Sequence, residues 1–245
     1  MSEFISFTST WSDTWEVPTW VTNIDILVVA GWGGAGRGTT NSTRNAWWGW
    51  GGWVVFIENY SVTPWDSISL TVGTGGSGSL SDFSQGSSGW NSSFGSLTAL
   101  GGWGGASSSF RDGLNGGSWG GGGRLSINYG IWGTGLQTSQ SGDSWIYGFG
   151  NNWVDSSSDG AGGGGGAWWT WTITQWGAWI SIFWTVYAKW GDAESNWANG
   201  ASNTGNGGNA QWITSGGVGG NGGSGIVIIR TISPKSSAWF LMRNF

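Results

Sequence analysis

Glycine is the feature that most limits what this chain can fold into. It comes in clusters: GWGGAGRG from Gly31, GWGGW from Gly49, GGWGGAS from Gly101, GGSWGGGG from Gly116, GAGGGGGAWW from Gly160, NTGNGGNA from Asn203 and GGVGGNGGSG from Gly216. The spacing is irregular and lacks the strict three-residue period of collagen. Two readings remain open. Glycine loses more entropy on folding than any other residue, which favours a flexible tract. Alternatively, backbones without side chains can approach closely as packed polyglycine-II helices, whose N–H and C=O groups pair between neighbours.

Of 245 residues, 51 are Gly and only 9% are charged, far below the roughly 25% of an ordinary domain. The net charge is −5 and the eight basic residues are scattered from Arg37 to Arg243, so nucleic acid is not an expected partner. Cys and His are absent. That removes a disulfide framework, the commonest general base and the commonest metal ligand. The start, MSEFISFTSTWSD, lacks the basic and apolar regions of a signal peptide, and no run of 18 apolar residues predicts a spanning helix. We therefore expect no membrane insertion, no cofactor and no metal.

Strand-like stretches flank the glycine. These are Phe4–Ser9, Thr14–Val17 stopping at Pro18, and Asn23–Ala30, whose near-continuous apolar run fits a strand buried on both faces. Val54–Val62 and the alternating Ser67–Val72 flank Thr63-Pro64-Trp65-Asp66. Ser92–Leu100, Trp179–Val186 and Gly225–Ile232 follow, and helical periodicity is missing. The expected fold class is all-β, a β-sandwich-like core with a long glycine-rich insertion. Residues 1–100 form the β-rich part, 101–224 the insertion, 225–233 the closing strand of the same domain and 234–245 a tail.

The 25 tryptophans stand in unusual places. Trp65 follows Pro64 at a turn position that requires positive φ and so favours glycine. Trp32, Trp103 and Trp119 lie inside glycine runs, where an indole would push close-packed backbones apart. Trp15, alternating with Val17, is the exception and suits a half-buried strand. UGA is read as Trp in some genetic codes and as Gly in others. We expect most Trp letters to be UGA glycine codons, which bounds Gly at 51 + 25 = 76 residues. UGG codons at Trp32, Trp50, Trp65 and Trp103 would overturn this. Genuine tryptophans would instead expose aromatic patches, with Trp168, Trp169 and Trp171 as a sugar-stacking platform.

Three segments and a closing strand resemble a known family. They are FTSTWSDTWEVPTWVTNIDILVVAGWGGAG (Phe7–Gly36), VTPWDSISLTVGTGGSG (Val62–Gly78), SSFGSLTALGGWGG (Ser92–Gly105) and GGSGIVIIRTI (Gly222–Ile232). In this order they resemble the glycine-rich domains of phage tail fibres and large bacterial surface proteins, with Trp20, Trp32 and Trp65 falling where that family has Gly. The resemblance implies a non-enzymatic adhesin or tail-fibre-type component on a virion or cell surface, recognising a surface receptor or glycan. The alternative is a purely structural module whose partners are other copies or a fibre or filament protein.

Under the adhesin reading, the candidate receptor-binding residues lie in two polar segments between glycine runs. They are Tyr129, Tyr147, Phe149, Asn151 and Asn152 within Asn128–Asn152, and Asn206 and Asn209 within Asn203–Thr214. Tyr among Ser, Gly and Asn is also the mix found in antibody paratopes; local packing under a loop is the competing reading of the aromatics. Enzyme readings are weaker. GWGGAGRG follows a strand but precedes polar, non-helical Thr39–Asn45, so the helix dipole of a dinucleotide site is missing. Asp155, Asp159, Asp192 and Glu194 sit in polar stretches and read as solvated loop charge rather than a glycosidase pair. No EF-hand-type calcium motif is present.

Overall fold

A computed structural model describes residues 3–37, 52–81, 84–107, 199–207 and 218–232, and the backbone of four short strands between 124 and 187. Eight strands build two antiparallel sheets. The first has the order β1 (Phe4–Phe7), β12 (Ile226–Thr231), β3 (Asn23–Val29), β4 (Val54–Ser61). The second has the order β2 (Ser12–Glu16), β5 (Ser67–Thr71), β6 (Ser92–Phe94), β7 (Leu97–Ala99). Elsewhere β8 (Arg124–Leu125) pairs with β9 (Asn128–Tyr129), and β10 (Ile180–Ile182) with β11 (Thr185–Tyr187). The fold is all-β, as expected, and no helix occurs among the described residues.

Period-two alternation puts the two sheets face to face. Ile24, Ile26 and Val28 of β3, Val227 and Ile229 of β12, and Val55 and Ile57 of β4 meet Trp15, Leu70, Phe94, Leu97 and Ala99 of the second sheet in one buried cluster. The Trp15 and Phe94 rings lie 6.1 Å apart, and Tyr60 meets Phe94 edge-on at 6.3 Å. The opposite face of β3 is buried too, with Leu27 and Val29 fully enclosed. This matches the two-sided burial that the continuous apolar run predicts.

β12, from the far end of the domain, lies between β1 and β3. Its register runs Ile229↔Ile26 on one side and Ile229↔Ile5 on the other. Asp25, buried on β3, locks it there. One carboxylate oxygen accepts from Arg230 Nε at 2.6 Å, and Arg230 also forms an ion pair with the same carboxylate. The other oxygen accepts from Asn59 N at 2.8 Å. Asn59 has φ +57° beside an irregularity in the β3–β4 pairing, so one carboxylate satisfies both the strained bend and the closing strand.

Asp25→Ala should cost about 3 kcal/mol in denaturant unfolding, near the low end for breaking a buried pair because the Arg230 side chain is 36% exposed.

Candidate binding surface

Five of the described glycine-bearing segments are direct continuations of strands, and these five leave the sandwich at one end. Residues 31–37 extend β3, 73–80 extend β5 and 101–107 extend β7, while 84–91 lead into β6 and 218–225 into β12. Inside the sandwich, side chains hold two facing sheets roughly 10 Å apart. Where side chains end, the two layers close and bond backbone to backbone. Gly31 N, just past β3, donates to Trp90 O, just before β6, at 3.0 Å. Gly225 N, before β12, donates to Gly73 O, after β5, at 2.9 Å. At the seam, the buried Ser92 hydroxyl donates to Val29 O at 2.7 Å and accepts from Gly73 N at 2.9 Å, joining the sheets.

Beyond the seam the bonds recur at every third residue. The N–H groups of Gly31, Gly34 and Arg37 reach Trp90, Ser87 and Ser84; those of Trp32 and Ala35 reach Gly223 and Gly220. The carbonyls of Trp32 and Ala35 accept from Gly76 and Ser79, and those of Gly31 and Gly34 accept from Gly102 and Gly105. Segment 31–37 is thus bonded to four neighbouring segments. This spacing leaves no room for a Cβ: one built on Gly34 would lie 2.2 Å from Ser77 C and O, and one on Gly222 would lie 2.2 Å from Trp32 O.

Asparagine and serine stitch the rim of this bundle. Asn221 Oδ1 accepts from Gly78 N and Asn91 Oδ1 from Gly101 N, both at 2.8 Å, and Asn199 Oδ1 accepts from Asn221 N at 2.9 Å. Arg37 donates to Leu80 O. Segment 199–207 docks against it through Gly223 N→Asn206 O at 2.7 Å and Gly205 N→Ser224 O at 2.9 Å.

Of the candidate receptor contacts, Asn206 is half-buried in this docked segment, its backbone committed to the bundle. Tyr129 lies on β9, opposite Arg124. The polar segment beginning at Asn128 therefore opens on a strand pair. Tyr147, Phe149, Asn151, Asn152 and Asn209 lie outside the described residues, as do Asp155, Asp159, Asp192, Glu194, Trp168, Trp169 and Trp171.

The tryptophans depart from expectation in part. The indole of Trp32 does not push the bundle open. It is buried, pointing where Gly52 and Gly205 carry no side chain, and the backbone bonds on both sides of Trp32 persist. Its Nε1 has no hydrogen-bond partner. Trp53, inside a glycine cluster, joins the same hydrophobic core as Trp15, a role its neighbours in sequence did not signal. Trp65 behaves as expected, with φ +72° in a turn closed by Asp66 N→Thr63 O at 3.1 Å. Among the described residues, Trp11, Trp65, Leu80 and Trp90 are the most exposed large apolar side chains, at 77%, 79%, 73% and 71%.

Among the described residues, no three Asp or Glu side chains gather as a metal-holding group, and no helix is long and apolar enough to cross a membrane.

Gly222→Ala should cost about 3 kcal/mol by denaturant unfolding, because the three atoms nearest its methyl are all backbone. Leu80→Ala, in the same bundle but exposed, should stay within about 0.5 kcal/mol.

No curated protein sequence matches the chain. A family model described as a glycine-rich domain matches residues 6–231, from the β1 edge to the last residue of β12. That span contains both sheets and every described glycine segment, and the chain belongs to the glycine-rich domain family.

Proposed function

We propose that this domain is a non-enzymatic adhesin or tail-fibre-type component, displayed on a virion or cell surface, that recognises a receptor or glycan. The supporting observation is the bundle itself. Its segments bond laterally at three-residue intervals, which supports reading them as packed polyglycine-II helices. Such a bundle satisfies its backbone internally and needs few charges or large side chains, so it makes a stiff support for variable connections. The connections carry the polar, Tyr- and Asn-bearing segments that are the candidate contacts. The second reading is a structural module bound to other copies or to a fibre protein. It draws on the same rigidity and on the exposed Leu80 and Trp90 beside the bundle.

The proposed native sequence has glycine at most of the 25 Trp positions, through UGA codons. The positive φ of Trp65 supports this, since bulky residues rarely adopt that region. The protein from its natural source should have an intact mass well below that of the printed sequence; a mass equal to it removes the recoding proposal.

Purified native protein should bind saturably to cells of one susceptible type, and replacing Tyr147 and Phe149 by Ala should abolish that binding while leaving the melting temperature unchanged. Absence of binding to every plausible host cell favours the structural module.

A further inference from the structure

Four of the described tryptophans occupy sites with different physical demands. Trp65 is the third residue of a four-residue turn after Pro64, at φ +72° and 79% exposed. Its ring therefore gains little from burial, while the backbone adopts a conformation that costs a residue with a Cβ. Trp32 is buried, but its indole N–H is unpartnered, and its carbonyl lies 2.2 Å from where a Cβ on Gly222 would stand. A Cβ on Gly52 would lie 2.9 Å from its Cδ1, so the ring relies on the absence of a side chain there. A buried N–H without an acceptor is a standing penalty that glycine would not carry.

Trp15 and Trp53 differ. Both are buried in the inter-sheet cluster, 6% and 4% exposed, and Trp15 packs on Phe94. Glycine at either would open a ring-sized void between two sheets that their remaining side chains hold apart.

We infer that these four tryptophans are of two kinds: positions 65 and 32 are native glycine, and positions 15 and 53 are native tryptophan. This rests on the recoding proposed above and sharpens it, because it assigns UGA to two positions and UGG to two others. The consequence is a restriction on the translating cell. Only a cell that reads UGA as glycine makes the protein with an unstrained 63–66 turn, whereas one that reads it as tryptophan makes the strained form.

Two measurements test it. In the full chain produced as printed, Trp65→Gly should raise the melting temperature by roughly 2–4 °C through relief of the turn. Trp15→Gly and Trp53→Gly should lower it by roughly 10 °C or prevent folding, while Trp15→Phe and Trp53→Phe still fold. A melting temperature lowered by Trp65→Gly, or unchanged by glycine at 15 and 53, overturns the division. Peptide mass spectrometry of protein from the natural source should show Gly at 65 and 32 and Trp at 15 and 53. Glycine at all four leaves recoding standing and overturns the division. Tryptophan at all four overturns both.

Discussion

The whole molecule turns on one distance, that between backbones facing each other across the domain. In the sandwich, Ile, Val, Leu, Phe and two Trp side chains set it. A few residues further along the same chains, hydrogen on Cα lets the two layers meet, and some amides bond across, as Gly31 does to Trp90, while others, such as Trp32 to Gly223, keep the neighbour their strand had. The transition occurs over a residue or two at Ala30-Gly31, Val72-Gly73 and Ser224-Gly225. Ser92 marks the seam, its hydroxyl serving β3 on one side and Gly73 on the other. Core and bundle are therefore two packing regimes of the same strands, one driven by apolar burial and the other by mutual satisfaction of backbone groups.

This continuity explains why the closing strand must come from far along the chain. The lead-in to β12 is itself part of the bundle: Gly219 and Gly222 donate to Ser79 and Gly76, and Gly220 and Gly223 accept from Ala35 and Trp32. Strand and lead-in close sheet and bundle together, and Asp25 holds the strand by its Arg230. A long sequence can be inserted between β7 and this return without altering either regime, because the insertion leaves and re-enters at the bundle.

Much of the framework was legible from the residues. The β-branched run at Asn23–Ala30 announced a strand covered on both faces. The alternation in SISLTV put Ile68, Leu70 and Val72 on one face, which is the core side, and Pro64-Trp65 named a turn with positive φ at its third residue. The individual pieces of the site were less legible. Asn206 read as a contact residue because it is polar and sits between glycines, and its pattern did not signal that its carbonyl would hold Gly223. Trp53 read as one more misplaced indole among glycines, yet it completes the core. In both cases the deciding fact is which distant segment lies alongside, and local pattern carries no information about that.

Sequence by itself determined the class of structure: alternating apolar positions can form only sheets with an inside, and glycine runs at strand ends forbid that inside from continuing. Tertiary structure alone decided the partners. Segment 31–37 could have lain beside any glycine run of similar length. Its bonds to 84–90, 220–223, 76–79 and 102–105 follow from the order in which the strands pair, because each segment must emerge where its strand ends. The same pairing order decided that the indole of Trp32 would lie against Gly52, where a side chain would crowd its Cδ1.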